Sequence, residues 1–145
     1  MSLHSVDTFF TLLNNLKRHE GFMSHSYVCP AGAVSIGYGR NIDSDAGGLG
    51  ITEEEADHLL KNDVGRSIAE CQSFDWFADT PVAKQMVIVE LCFQLGWGRL
   101  NGFKNMLAAM AEQDYETASV ELLDSRFADQ VPNRANELAE RLRDE

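Results

Sequence analysis

Residues 22–50 carry no helical period, are rich in glycine, and lie between two stretches that do carry one. Such an interruption excludes a plain helical bundle and requires a small β element inserted after one helix. Before it, Asp7 is the expected N-cap of a helix whose Phe9, Leu12, Leu13 and Leu16 recur at helical spacing. Glu20 falls on the same stripe, and Gly21 supplies the C-terminal cap. Inside the interruption, 26–28 and 35–38 read as short strands joined by a turn at Pro30-Ala31-Gly32, and 41–50 reads as a polar loop. Helix resumes at Thr52-Glu53-Glu54-Glu55, a capping box, with Ala56, Leu59, Leu60, Val64 and Ile68 as its expected buried face. Pro81 marks the first position of a helix that is apolar nearly all round from Val82 to Leu95 and ends at Gly96-Trp97-Gly98. Shorter helices are expected over 103–112, 115–123 (capped by Asp114) and 132–143.

The expected architecture is α+β and mostly helical, one domain over residues 1–145. It comprises a first helix (about 1–21), a small β lobe (22–51) and a helical lobe (52–145), with a cleft between the lobes as the natural ligand site.

The balance of 12 basic and 23 acidic residues gives a formal net charge of −11. That field opposes non-specific binding to nucleic acid or to an anionic membrane surface. No apolar run is long enough to cross a bilayer, and no basic segment followed by an apolar one opens the chain, so neither a membrane anchor nor a secretion signal is expected. Cys29, Cys71 and Cys92 cannot all pair within one chain and fit no zinc or Cys-x-x-Cys pattern. They read as reduced thiols, with Cys92 in the core.

Glu20 is the residue of most chemical interest. A carboxyl on an apolar stripe loses solvation of its charged form, which raises its pKa toward the range that a general acid for glycoside hydrolysis needs. The plainer reading is a solvated or ion-paired carboxylate at a helix end. Glycoside cleavage also needs a group that activates water or attacks the anomeric carbon, and the β segment offers Cys29, Ser35, Asp43 and Asp45. The aspartates read as solvated loop residues. His19 and His25 with Cys29 do not form a metal-ligand pattern, and Trp76 and Trp97 read as packing residues flanking apolar helices.

The string His19-Glu20-Gly21, Tyr27, Ser35-Ile36-Gly37-Tyr38-Gly39 and 51–56 resembles the signature of the phage-type lysozymes, the endolysins of glycoside hydrolase family 24. Phe93-Gln94-Leu95-Gly96, Gly102-Phe103, Ser125-Arg126-Phe127 and 130–134 continue the resemblance in order and spacing. It implies a two-lobed lysozyme-like fold and hydrolysis of the β-1,4 bond between N-acetylmuramic acid and N-acetylglucosamine in peptidoglycan. Inversion at the anomeric carbon and no metal or other cofactor are implied as well. On the matching positions, Glu20 is the general acid, Ser35 holds the water with its hydroxyl, and Arg134 supports the glutamate. Phe93, Gln94 and Arg126 bind substrate.

Cys29 stands where most members of that family carry aspartate. A neutral thiol does not stabilise an oxocarbenium ion as a carboxylate does, so Cys29 is read as a working substitute in its thiolate form, which Arg40 is placed to favour. Arg40 itself replaces the family's usual histidine, and Asn41, Met106 and Glu121 replace substrate-lining types and are set outside the site. The resemblance further implies a monomer held in the host cytoplasm until a separate holin-type pore-former releases it to the wall. Readings from other classes are a catalytically impaired peptidoglycan-binding or virion module, and a transglycosylase that forms an anhydro-sugar.

Overall fold

A computed structural model describes residues 2–144; Met1 and Glu145, the ends of the domain read from the sequence, lie outside the described residues. The chain is α+β and mostly helical. It divides into two compact units, Met1–Ala56 and Asp57–Glu145. Among the described residues, no helix is long and apolar enough to cross a membrane.

The N-terminal unit opens with α1 (Val6–Glu20). Its cap is Ser5 rather than Asp7: the Ser5 hydroxyl accepts the Thr8 N–H at 3.4 Å. Asp7 instead lies in the first turn, where the partial positive charge of the helix start favours a carboxylate. Gly21 ends the helix at φ +68, its N–H returning to the Lys17 carbonyl at 3.0 Å. The sheet follows, with strands β1 (Met23–Val28), β2 (Val34–Gly37) and β3 (Arg40–Asn41) in that order, both pairings antiparallel. Tyr27 faces Ser35 and Val28 faces Val34, and a bulge between Met23 and Tyr27 shifts the register. The third strand was not expected: two residues carry no readable alternation. It pairs Asn41 with Ser35 and makes β2 the central strand. Part of the expected polar loop is a 3-10 turn at Ser44–Ala46, capped by the Asp43 carboxylate. Thr52 and Glu55 form the expected reciprocal cap at the start of α2 (Glu53–Cys71).

The C-terminal unit holds the core. It contains the rest of α2, then α3 (Val82–Leu95), α4 (Trp97–Asn101), α5 (Lys104–Ala111), α6 (Tyr115–Leu123), α7 (Arg126–Gln130) and α8 (Pro132–Arg143). Val87, Ile88, Leu91 and Cys92 of α3 pack with Leu100, Met106, Met110, Leu122, Leu138 and Leu142, all at most 1% exposed. The apolar run of α3 therefore does pass through the core. Burial pushes the Cys71 thiol up to about 12, which makes it an inert core residue.

The buried face expected for α2 is only partly seen. Leu59 and Leu60 are exposed, while Ser67 and Cys71 are buried, because the core of this unit meets α2 only along its last turns. Gly96 ends α3, but α4 follows at once, and α7 is likewise additional. Five-residue helices carry too few turns to show a period.

Candidate active site

Glu20 is the last residue of α1, so the helix fixes where its carboxyl begins. Lys17, Arg18 and His19 fill the same last turn, where cations complement the carbonyl end of a helix. The carboxyl lies against the backbone of Gly39: a Cβ at that position would stand 3.0 Å from Glu20 Oε2. Gly39 has φ +86 and joins β2 to β3, so this residue needs glycine both for its backbone and for the approach of the acid. Tyr38 pins the same junction, its ring 5.6 Å from that of Phe22 and 5.7 Å from Lys17 Nζ.

The sequence places Glu20 correctly at the end of the stripe but not its surroundings. Glu20 is exposed, and α1 buries none of its residues. The physical reason lies within its own unit, where the three-stranded sheet is too small to cover the apolar stripe.

The second cluster is built by the β1–β2 turn. Gly32 N–H donates to the Cys29 carbonyl at 2.8 Å, and Cys29 N–H donates to the Ala33 carbonyl at 2.9 Å. The backbone of Ala33, Ala31 and Gly32 and the Ser35 hydroxyl are near enough to the Cys29 thiol to offer its charged form hydrogen bonds. Those hydrogen bonds, the Ala33 amide first, hold the thiol below its ordinary value of 9.0 despite some opposing burial. The sequence therefore brings Cys29 and Ser35 to one place. Ser35 is buried, and its Oγ donates to the Ala33 carbonyl at 3.3 Å, so its hydroxyl serves the turn and the thiol.

Arg40 does not take the part expected of it. Its guanidinium is bidentate on Glu55, 2.7 Å on each side, and also donates to the Gly50 carbonyl at 3.1 Å. The Thr52 amide and hydroxyl, with Arg40 behind them, hold the Glu55 carboxyl below its usual range. Asp43, one of the alternatives for a second acid, is a loop organiser whose carboxylate accepts the Val34 and Asp45 amides.

The remaining candidates lie in the C-terminal unit. Phe93 and Gln94 occupy the last turn of α3 and are exposed. Arg126 opens α7, which Ser125 caps by accepting the Ala128 N–H at 3.2 Å. It rims a pocket of about 460 Å³ that Phe103, Met106, Glu121 and Phe127 also line. Met106 and Glu121 were set aside because their residue types depart from the resemblance, yet this pocket is built from them.

Arg134 contacts two carboxylates of its own unit, Glu90 Oε1 at 2.8 Å and Glu137 Oε2 at 3.2 Å. Glu90 also accepts both guanidinium nitrogens of Arg141, and the two arginines hold its carboxyl below the usual range, Arg141 more than Arg134. Glu90 was missed; its only sequence signal is an acid within the apolar run of α3. Among the described residues, no group of three or more His, Cys, Asp or Glu is arranged to hold a metal ion.

The phage lysozyme family model matches residues 17–145, and the chain belongs to this family. Over 136 residues it is 25% identical to the peptidoglycan hydrolase gp36 of Pseudomonas phage phiKMV, an alignment covering 92% of this chain and 15% of that protein. Over 110 residues it is 27% identical to the endolysin of Acyrthosiphon pisum secondary endosymbiont phage 1, covering 74% of this chain and 72% of that one. The chain thus spans less than a sixth of the first relative's length and most of the second's.

Proposed function

We propose that this chain is a muramidase that hydrolyses the β-1,4 bond between N-acetylmuramic acid and N-acetylglucosamine in peptidoglycan. The observation that carries the reading is the seating of the Glu20 carboxyl on Gly39, in the same unit as the Cys29–Ser35 cluster. Family membership supports it. Glu20 gives its proton to the glycosidic oxygen as the bond to the anomeric carbon breaks. Water adds to that carbon from the opposite face and passes a proton to the Cys29 thiolate, so the configuration inverts.

The exposed position of Glu20 assigns a role to the substrate. A saccharide lying against the end of α1 displaces water from around the carboxyl and sets it against the glycosidic oxygen. Ser35 supports the thiolate, and Phe93, Gln94 and Arg126 bind the substrate. No cofactor enters this scheme. The reading extends to a monomer that waits in the host cytoplasm for a holin-type pore-former and then acts on the wall.

The test is release of soluble fragments from purified peptidoglycan with a reducing agent present. Glu20→Gln is expected to lower the rate by about 10²–10⁴-fold, the usual contribution of a general acid. Wild-type rates from that variant would contradict the assignment. The thiol in place of a carboxylate favours one other reading, a module that grips peptidoglycan without cutting it. Wall binding by the wild-type chain with no fragment released would establish that reading.

A further inference from the structure

Gly39, the seat of the Glu20 carboxyl, has little of its own to keep it in place. Gly37 and Gly39 have positive φ, +70 and +86, so the backbone on both sides of Tyr38 belongs to the residue with the widest choice of conformation. The strand that follows, β3, is two residues long and meets β2 only at Ile36–Arg40 and Ser35–Asn41. So short a strand fixes its own ends weakly. What holds Gly39 against the acid must come from the side chains beside it, those of Tyr38 and Arg40.

Tyr38 offers a half-exposed ring, 5.6 Å from that of Phe22 and 5.7 Å from Lys17 Nζ, and neither contact is strongly directional. Arg40 is different. Its two terminal nitrogens meet the two Glu55 oxygens at 2.7 Å each, and one also donates to the Gly50 carbonyl at 3.1 Å. A planar fork on a carboxylate fixes direction as well as distance. Glu55 is held in turn: its Oε1 accepts the Thr52 N–H at 2.9 Å, and its own N–H donates to the Thr52 hydroxyl at 3.1 Å. That capping box needs one oxygen of a glutamate or glutamine, so the second oxygen and the charge serve Arg40. Glu20, Gly39, Arg40 and Glu55 all belong to the N-terminal unit.

We propose that Glu55 is a positioning residue for Glu20: through the Arg40 guanidinium it anchors the residue next to Gly39, and so sets where the acid's carboxyl rests. This role rests on the muramidase reading and deepens it, because it makes the first turn of α2 part of what aims the acid.

The test compares Glu55→Gln, Arg40→Met, the double variant and Thr52→Ala. Glutamine at 55 keeps the helix cap and loses the two-pronged hold on Arg40. Thr52→Ala weakens the cap and leaves the Glu55 carboxylate to Arg40. On purified peptidoglycan, Glu55→Gln and Arg40→Met should each lose about tenfold in kcat with KM within about twofold, the scale of a shift of a few tenths of an ångström at a reacting group. The double variant should also lose about tenfold, where independent effects would give about a hundredfold. Thr52→Ala should lose Tm and keep kcat within about twofold. One variant removes an anion and the other a cation, so a long-range charge effect would move rates in opposite directions, and loss of position lowers both. A second readout needs no turnover: in chain labelled with ¹³C-glutamate, the Glu20 carboxyl signal, assigned from its absence in Glu20→Gln, should shift in both single variants and stay put in Thr52→Ala. Losses that multiply in the double variant, an equal kcat loss in Thr52→Ala, or an unmoved Glu20 signal would overturn the proposal. If the signal shifts as expected and the wild-type chain cuts no glycan, the muramidase reading fails and the positioning role stands. If both single variants cut glycan at the wild-type rate, the positioning role fails and the muramidase reading stands.

Discussion

Replacing Gly39 by alanine tests the seating of the acid. The new Cβ would stand 3.0 Å from Glu20 Oε2. An ordinary carbon–oxygen contact lies near ~3.4 Å, so the carboxyl must retreat by about 0.4 Å. A displacement of about 1 Å at a reacting group costs on the order of a hundredfold, so this shift predicts a fall in kcat of about tenfold. The backbone contributes a separate effect. Gly39 has φ +86, where a Cβ costs about 1–2 kcal/mol, or about 3–6 °C in Tm for a domain of this size. Gly47→Ala separates the two effects: Gly47 also has positive φ, at +69, but nothing lies within 4 Å of its would-be Cβ. Both variants should lose stability, and only Gly39→Ala should lose rate when reducing ends released from peptidoglycan are counted well below either Tm. Equal activity in the two variants would refute the argument that Gly39 positions the acid.

Cys29→Asp should retain activity and Cys29→Ala should lose it by about 10²-fold or more, measured on the same substrate; a fully active alanine variant would remove the thiol from the mechanism. Because its folded value is lowered, Cys29 contributes stability that is fully present above its ordinary value of 9.0 and is lost as pH falls through the folded value. Its alkylation by iodoacetamide should accordingly set in below the pH typical of a free thiol, and Ser35→Ala should move that onset upward. Glu90→Gln should cost about 1–2 kcal/mol at neutral pH, discounted for partial exposure, by leaving Arg134 and Arg141 without their shared carboxylate. Since the Glu90 value is lowered, that difference in Tm should be full above the ordinary carboxylate value of 4.5 and close as pH falls through the folded value. Lys84 is buried and donates from Nζ to the carbonyls of Leu142 and Asp144, 2.5 Å each, above the Tyr115 ring; Lys84→Met should cost about 1–3 kcal/mol in urea unfolding by leaving those carbonyls unpaired.

Helix ends were the most legible part of the sequence, because capping chemistry is local. Gly21, the Thr52–Glu55 pair, Asp114 and Pro132 all terminate or start helices as their side chains dictate. Asp7 and Ser5 are both good caps two residues apart, and only coordinates could choose between them. The position of Glu20 was legible for the same local reason, whereas its exposure depends on what packs around it. Cys29 and Ser35 could be placed in one hairpin by their spacing across the turn. The amides that activate the thiol could not, since backbone direction within a turn leaves no mark on residue type, and so Arg40 was credited instead. Arg126 shares its pocket with Glu121 and Met106, whose residue types depart from the resemblance and so carried no sequence signal of the site.

The central claim is that the Glu20 carboxyl donates a proton while water takes the anomeric carbon. Digestion of purified peptidoglycan in ¹⁸O-labelled water, followed by mass spectrometry of the fragments, tests it most directly. The wild-type chain should release reducing N-acetylmuramic acid ends that each carry one labelled oxygen, and Glu20→Gln should release almost none. Unlabelled anhydro ends, or labelled ends released by Glu20→Gln at the wild-type rate, would contradict it.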